Sequence, residues 1–348
     1  MTYTHVRFAY YDTYTAVQYQ LPIMKAKKLT QDARTEIRLR ARYFVEVAQY
    51  VAGNIAKNPV PVPANSRILT IFVAPEFFLR SSDGQKDGPG HYHALHVDAA
   101  RALIRDALAK DGRFDDWLLV PGTAVFSLFA QNSYSTYGQL NPFWLIWDDA
   151  HCVARVGGVI QDWHIIKQNF SEYDQLELSL NAFLHNATPG GLVYRQIMAL
   201  NGVDIGLEIC LDHLMGALKN TVLSSNPPSN VDVQLLVSCG SGVESKCVAT
   251  RSHGLVLACN GDDGFPAGAA NRVAIWPSGH PAQNDVPTLT PLGATILKLP
   301  DWLQIRQDSN KPDQVGYYPP VGLTPPPPPP GGPPLPQPPP PPLGPPQT

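Results

Sequence analysis

Apolar residues recur along most of this chain with the spacings of buried strands and amphipathic helices. Spacings of three and four predict helices over residues 31–57 and 93–110. The continuous apolar block 67–74 predicts a buried strand, and the alternation over 203–209 predicts a half-buried one. Further elements are predicted as strands at 5–11, 117–123, 143–147, 156–166, 231–238, 254–259 and 271–276, and as a short helix at 212–222.

Strands that alternate with helices predict an α/β (α+β) layered sandwich in a single domain over residues 1–315. Apolar residues make up 44% of the chain and charged residues 16%, which is enough to build a sizeable core. Half of the 36 prolines lie between Pro319 and Pro346. Residues 316–348 are therefore predicted to form a proline-rich, disordered tail, since such a composition favours extended chain.

Charge and cysteine usage exclude several classes of protein. The net charge of −3 and the pI of about 6.3 do not suggest a nucleic-acid partner. No apolar run reaches the roughly 18–20 residues that span a bilayer, and the N-terminus does not resemble a secretory signal. Five cysteines without a CxxC pair argue against disulfides or structural zinc. We therefore expect a cytoplasmic protein with reduced thiols and no membrane association.

Three chemically reactive residues each follow a predicted strand. Glu76 follows the strand at 67–74, Lys167 follows the strand at 156–166, and Cys210 follows the strand at 203–209. Side chains at the carboxyl ends of strands are held by the sheet and open to a pocket. A carboxylate can deprotonate a thiol, and an ammonium can stabilise the negative charge that develops on an attacked carbonyl. The trio predicts a nucleophilic site.

The segments around these residues resemble those of a known family. APEFF (74–78), IIKQNF (165–170) and GLEICLDH (206–213) are similar to the three signature segments of the nitrilase superfamily of carbon–nitrogen hydrolases, in the same order. VPGTAVFS followed by Asn132 resembles the family's middle segment. The resemblance covers roughly residues 5–300 and favours the amidase and carbamoylase branches, because Leu211 and Asp212 follow the cysteine where nitrile-specific members have Trp-Glu.

The resemblance implies a four-layer αββα sandwich that forms a homodimer or a higher homo-oligomer and uses no metal or organic cofactor. It implies that Glu76 is the general base, Cys210 the nucleophile and Lys167 the stabiliser of the tetrahedral intermediate. The backbone N–H of Leu211 would contribute to the oxyanion hole. The implied function is hydrolysis of an amide or carbamoyl substrate through a thioester at Cys210, with nitrile hydrolysis on the same residues as the alternative.

The chain departs from the family pattern around its second acidic residue and its pocket. Many members carry a second glutamate shortly after the lysine, and Glu172 is favoured here over Asp174 and Glu177. His213 begins the segment that replaces the family's Arg-Phe-Pro, so an unusual substrate pocket is expected. The glycine-rich loop 80–93 follows the base directly and is predicted to act as a lid.

Several residues have competing interpretations. His213 could form a Cys–His dyad with Cys210, although a helical neighbour three positions along need not face the thiol. His91, His93 and His96 could bind a metal, but a polar loop and helix start is the simpler interpretation. The remaining candidate thiols are interpreted as core or loop residues, namely Cys239, Cys247 and Cys259.

A different class of function is also open. The domain could be a non-catalytic scaffold that acts through its proline-rich tail. Proline runs such as PPPPPP at 325–330 bind the aromatic grooves of SH3, WW or EVH1-type domains. If the protein is an enzyme, we expect a small-molecule amide or nitrile as its partner. If it is a scaffold, we expect an SH3, WW or EVH1-type domain as its partner.

Overall fold

The computed structural model of the chain describes most of the predicted domain. The described residues are 2–13, 15, 33–80, 92–130, 143–169, 196–224, 230–261, 272–275, 290–291, 293–304 and 313–323. The helices are α1 (Ala33–Lys57), α2 (Ala94–Lys110), α3 (Leu211–Leu214) and α4 (Ala217–Ser224). The strands are β1 (His5–Asp12), β2 (Ile68–Val73), β3 (Tyr92–His93), β4 (Trp117–Val120), β5 (Ala124–Ala130), β6 (Phe143–Val156), β7 (Val159–Ile166), β8 (Ile197–Leu200), β9 (Val203–Ile209), β10 (Val231–Ser238), β11 (Thr250–Asn260), β12 (Arg272–Ile275), β13 (Thr290–Pro291), β14 (Thr295–Lys298), β15 (Gln314–Tyr317) and β16 (Val321–Gly322).

Two sheets pack face to face between outer layers of helix. Among the described residues, ten strands form the first sheet in the order β14-β15-β1-β2-β4-β6-β5-β3, with β16 beside β1 and β7 beside β6. Six of the described strands form the second sheet in the order β13-β12-β11-β10-β9-β8. Helices α1 and α2 cover the first sheet, and α4 covers the second. This αββα layering confirms the predicted fold class.

Side chains that alternate along each strand contribute to two different cores, one between the helices and the first sheet and one between the two sheets. In β1, Ala9 and Tyr11 pack under the helices, whereas Phe8 and Tyr10 point into the space between the sheets. The alternation follows from the two-residue period of a strand. Aliphatic side chains of β9, β10 and β11 fill the other side of that central layer. A sheet that is buried on both faces explains the continuous apolar run in β2.

Strand direction brings several strand ends to one edge. In the first sheet, β2 runs parallel to β4, β4 is antiparallel to β6, and β6 is antiparallel to β7. It follows that β2 and β7 run in the same direction and end on the same side. In the second sheet β9, β10 and β11 are parallel and share their own carboxyl edge.

The elements differ from the predicted ones in several places. The structure adds strands that the sequence does not predict, among them β5, β8 and β14, and it extends the predicted strand 143–147 to Val156. The predicted helix 212–222 is two helices, since Gly216 between them has a φ of +66° that ends the first. The first sheet also continues past the predicted boundary at residue 315. Tyr317 and Tyr318 are buried, and Tyr318 stacks on Phe8 with ring centroids 6.0 Å apart. These two aromatic side chains supply apolar surface that the prolines after them lack.

The rest of the predicted tail, from residue 324, lies outside the described residues. Among the helices that the structure describes, none is both long enough and apolar enough to cross a membrane.

A glycine beside the turn at Pro75 gives a test of this packing. Gly122 has a φ of +70°, and a Cβ at this position would lie 2.0 Å from the carbonyl oxygen of Pro75. Gly122→Ala should therefore lower the free energy of unfolding by at least about 2 kcal/mol. Gly53→Ala is the matched control: it lies in α1 with no atom within 4 Å of the added Cβ, and should raise that free energy by up to about 1 kcal/mol. Urea denaturation measures both, and equal stability of the two variants would contradict the close approach.

Candidate active site

The structure brings the three sequence-predicted residues together between the two sheets. Glu76 follows β2 and Lys167 follows β7, both at the same edge of the first sheet, while Cys210 follows β9 in the second sheet. Glu76 and Lys167 are 0% and 1% exposed and Cys210 is 7% exposed, so water has little access to them. Both charged side chains interact electrostatically with the Cys210 thiol. A thiol, a carboxylate and an ammonium thus share one buried space.

Glu76 and Lys167 form a fully buried ion pair. The Nζ atom of Lys167 donates to Oε1 of Glu76 over 2.8 Å. The second carboxylate oxygen, Oε2, accepts from the backbone N–H of Cys239 over 2.8 Å. Charge-assisted hydrogen bonds of this kind hold a carboxylate in one orientation.

The turn that carries Glu76 is strained. Phe77 has a φ of +63°, which is unusual for a bulky side chain. Its N–H donates to Oγ1 of Thr123 over 3.1 Å, and its ring lies 5.6 Å from Nζ of Lys167. The turn is therefore fixed by the segment after β4, and it presents both an aromatic face and a carboxylate to the same lysine. Strain of this kind persists only where the surrounding structure enforces it.

Asp148 supplies a second carboxylate beside the lysine. Its Oδ2 lies 3.9 Å from Nζ of Lys167, and its backbone carbonyl accepts from the Lys167 N–H over 2.9 Å. Asp148 is fully buried in the hairpin of β6 and β7. The sequence carries no signal that singles it out, because its proximity to Lys167 depends on the register of that hairpin. Glu172, which was expected as the second acid, lies outside the described residues.

Cys210 occupies a strained position between β9 and α3. Its φ of +47° lies in the left-handed region that non-glycine residues rarely adopt. The helix that follows begins at Leu211, whose backbone N–H has no acceptor within the helix, since the first N–H groups of a helix have none. The contribution of this N–H to an oxyanion hole, which the family resemblance implies, stays a prediction.

Burial raises the pKa of the Cys210 thiol to about 12, and the negative charge of Glu76 adds to the increase. The positive charge of Lys167 and a hydrogen bond between the thiol and the Ser241 side chain oppose it. At neutral pH the thiol is protonated, and only the thiolate is a strong nucleophile. Chemistry at Cys210 therefore requires a base that accepts the thiol proton as attack proceeds, and Glu76 is the carboxylate that interacts with the thiol.

The loop that follows β10, residues 239–244, contributes contacts that the sequence does not indicate. The Cys239 N–H contacts Glu76, as described above, and Oγ of Ser241 lies 3.1 Å from Sγ of Cys210. The Cys239 side chain packs against Phe77 and Val125, in agreement with its interpretation as a core thiol. Its backbone belongs to the site, which no residue-type pattern could reveal.

Asp212 couples the lysine segment to the cysteine segment. Its buried carboxylate accepts from the backbone N–H groups of Gln168 and Asn169 over 3.0 and 2.7 Å, and from Nδ2 of Asn169 over 2.8 Å. Asp212 lies two residues after Cys210 in the chain. It thus holds Gln168 and Asn169, the two residues that follow Lys167. Burial raises the pKa of Asp212 to about 7, and the hydrogen bonds from Gln168 and Asn169 oppose this rise.

His213 does not contact the thiol. Its Nδ1 lies 2.6 Å from Oε2 of Glu208, and its Nε2 accepts from the backbone N–H of Glu244 over 2.9 Å. The network therefore assigns a neutral ring that carries its proton on Nδ1. Gln234 also donates to Glu208 over 2.6 Å. His213 is an internal support that links α3 to the loop after β10, and the Cys–His dyad is not formed.

The histidine cluster has a structural explanation in part. Nδ1 of His93 accepts from the N–H of Leu95 and caps α2, while His91 lies outside the described residues. Across the described parts of the chain, no group of three His, Cys, Asp or Glu residues is arranged to hold a metal ion. Cys247 and Cys259 are buried free thiols, as interpreted from the sequence.

Comparison with known proteins finds similarity in structure alone. No family model matches the chain, and no curated protein matches it. An amidase from Nesterenkonia sp. is similar over 93% of this chain and 92% of its own, with 13% identity and a TM-score of 0.44. A CN-hydrolase superfamily protein from Xanthomonas campestris, solved with an arsenic adduct in its active site, is similar over 82% and 86%, with 12% identity and a TM-score of 0.41.

A glutamine-dependent NAD+ synthetase from Acinetobacter baumannii is similar over 83% of this chain and 43% of its own, with 13% identity and a TM-score of 0.37. Similarity at these identities and TM-scores does not assign a family or an activity to this chain.

The raised pKa of Asp212 predicts a pH dependence of stability. Between the ordinary aspartate value of 3.8 and about 7, the folded protein keeps a proton that the unfolded chain has released. The contribution of Asp212 to the free energy of unfolding therefore falls as the pH rises through this window. Asp212→Asn has no such proton, so urea denaturation at pH 4.5 and pH 7.5 should show the variant gaining stability relative to the parent at the higher pH. A difference that is the same at both values would contradict the raised pKa.

Proposed function

We propose that this protein is a cysteine hydrolase of non-peptide carbon–nitrogen bonds, of the nitrilase-superfamily type, acting on an amide or carbamoyl substrate. The observation that carries the proposal is the buried contact of Glu76 with Lys167 beside the strained Cys210. The three signature-like segments of the sequence supply independent support. The proposed roles are Cys210 as nucleophile, Glu76 as general base and Lys167 as stabiliser of the developing negative charge.

In the first half-reaction, Glu76 accepts the thiol proton while Sγ of Cys210 attacks the carbonyl carbon of the substrate. The negative charge that develops on the carbonyl oxygen is stabilised by the Leu211 N–H and by Lys167. Collapse of the tetrahedral intermediate breaks the carbon–nitrogen bond. Glu76 returns its proton to the leaving nitrogen, which departs as ammonia or an amine, and a thioester remains on Cys210.

In the second half-reaction, water attacks the thioester carbon, and Glu76 accepts a proton from that water. Collapse of the second tetrahedral intermediate breaks the carbon–sulfur bond, releases the acid and restores the thiol. One carboxylate therefore acts as base in each attack and as acid in each departure. Its two oxygens remain oriented by Lys167 and the Cys239 N–H. No step in this sequence requires a metal or an organic cofactor.

The alternative function is a scaffold that acts through the proline-rich tail. Burying an ion pair is costly, because desolvation of both charges offsets much of their attraction. Backbone strain at Phe77 and Cys210 adds to that cost. A scaffold gains nothing from placing these features around one thiol, whereas a nucleophilic site does. The geometry therefore favours the enzyme.

Several finer properties remain predictions. Nitrile hydrolysis would use the same residues through a thioimidate, and the substrate panel below separates it from amide hydrolysis. A homodimer or higher homo-oligomer, a cytoplasmic location and an SH3, WW or EVH1-type partner for residues 324–348 are expectations from the sequence. Glu172 remains the predicted second glutamate. The contact of Asp148 with Lys167 supports Asp148 as a second acidic residue beside that lysine.

The first test is ammonia release from a panel of small amides, carbamoyl compounds and nitriles. The parent should release ammonia from at least one amide or carbamoyl compound, and Cys210→Ala should release none, because it lacks the nucleophile. Cys247→Ala is the matched control, since Cys247 is a buried thiol outside the trio, and it should retain parent activity. A Cys210→Ala variant as active as the parent would overturn the proposal.

Glu76→Gln should separate thiol reactivity from turnover. Turnover should fall by at least about a hundredfold, because the general base is lost. Alkylation of Cys210 by iodoacetamide at neutral pH should instead become faster, since removing the Glu76 charge lowers the thiol pKa. Mass spectrometry of the Cys210 peptide follows the alkylation. Turnover that survives in Glu76→Gln and rises with pH as in the parent would exclude Glu76 as the base.

A further inference from the structure

The Cys210 thiol forms a hydrogen bond with the side-chain hydroxyl group of Ser241. Oγ of Ser241 and Sγ of Cys210 are 3.1 Å apart, a close approach for oxygen and sulfur. Ser241 lies in the loop after β10, thirty-one residues from the thiol along the chain, and neither the sequence motifs nor the proposed mechanism assigns it a role. The contact therefore joins the segment that follows β9 to the segment that follows β10.

Ser241 is held in place by its own backbone. Its carbonyl oxygen accepts from Oγ of Ser238 over 2.7 Å and from Nδ2 of Asn260 over 3.4 Å. Asn260 ends β11 and also accepts from the N–H of Gly240 over 2.9 Å. The loop is thus tied to the ends of two strands, and a side chain presented from it has a defined direction. Preorganised donors contribute most when they need not move during the reaction.

Either group could donate in this hydrogen bond, and the chemistry of the two groups favours one direction. A serine hydroxyl is too weak a base to take the thiol proton, and Glu76 already provides a carboxylate. The same hydroxyl can donate to sulfur, and such a bond strengthens as the sulfur acquires negative charge. The thiol hydrogen is then left to point toward Glu76. In the opposite arrangement, the thiol would donate to Ser241, and the contact would hold the unreactive form.

We propose that Ser241 is a further catalytic residue, whose hydroxyl donates to Sγ of Cys210 and stabilises the thiolate as Glu76 removes the thiol proton. This inference deepens the proposed function and rests on the same nucleophile. The loop after β10 then orients the base through the Cys239 N–H and the nucleophile through the Ser241 hydroxyl. The two possible directions of this hydrogen bond predict opposite changes in the reactivity of the Cys210 thiol when the hydroxyl is removed.

The test is the rate of alkylation of Cys210 by iodoacetamide between pH 7 and 9, measured peptide by peptide with mass spectrometry. In Ser241→Ala the rate should fall about tenfold at every pH, because less thiolate is present. Ser241→Thr keeps the hydroxyl and should stay within about twofold of the parent. Ser241→Gly is a second variant without a hydroxyl and should behave as Ser241→Ala. Cys247 is the internal reference in each sample, and its alkylation rate should not change.

An alkylation rate in Ser241→Ala equal to or faster than that of the parent would overturn the proposal, the faster rate showing that the thiol is the donor. A parallel fall at Cys247, or a fall of the same size in Ser241→Thr, would overturn it as well, since either shows that the fall does not depend on the Ser241 hydroxyl. The measurement needs no turnover. A parent that releases no ammonia from the panel but shows the tenfold alkylation effect would contradict the proposed substrate class and leave the role of Ser241 standing.

Discussion

The ion pair between Glu76 and Lys167 is the interaction on which the site depends. Both side chains are withdrawn from water, and either one left without the other would be a buried, uncompensated charge that costs several kcal/mol. The second oxygen of Glu76 is bound by the Cys239 N–H from the other sheet. The pair therefore lies at a contact between the two sheets, and it holds in place the carboxylate that we propose as the base.

In the proposed mechanism, the same arrangement lets a buried thiol react. Burial keeps Cys210 protonated, and it also strengthens the charge interactions inside the site. The neighbouring cation would favour the charged intermediates that attack creates, and the strained backbone holds the sulfur at the end of β9. Asp212 and His213, which both follow Cys210 in α3, anchor that helix to the lysine segment and to the loop after β10. Positioning is therefore supplied by neighbours of the reactive residues rather than by those residues alone.

Much of the fold and the core of the site could be predicted from local patterns. The helix period gives α1 and α2 within a few residues, and the apolar runs give β2, β9 and β10. Glu76, Lys167 and Cys210 stand out because each is a reactive residue placed directly after such a run. Strand β15 was missed at the domain boundary, since Tyr317 at its end adjoins a proline-rich composition. Asp148 and Ser241 were missed because nothing in their local sequence distinguishes them from other strand and loop residues.

Local sequence patterns are enough to predict the layered fold and the three reactive residues, because strand and helix periods and the composition of strand ends are local properties. The carboxylate that approaches the lysine, the hydroxyl that approaches the thiol and the direction of the His213 ring depend instead on tertiary contacts. Asp148 reaches Lys167 through the register of a hairpin, and Ser241 reaches Cys210 through the packing of neighbouring parallel strands. Such contacts join residues that are distant in the chain, and their geometry is set by how strands pair within a sheet rather than by any segment alone.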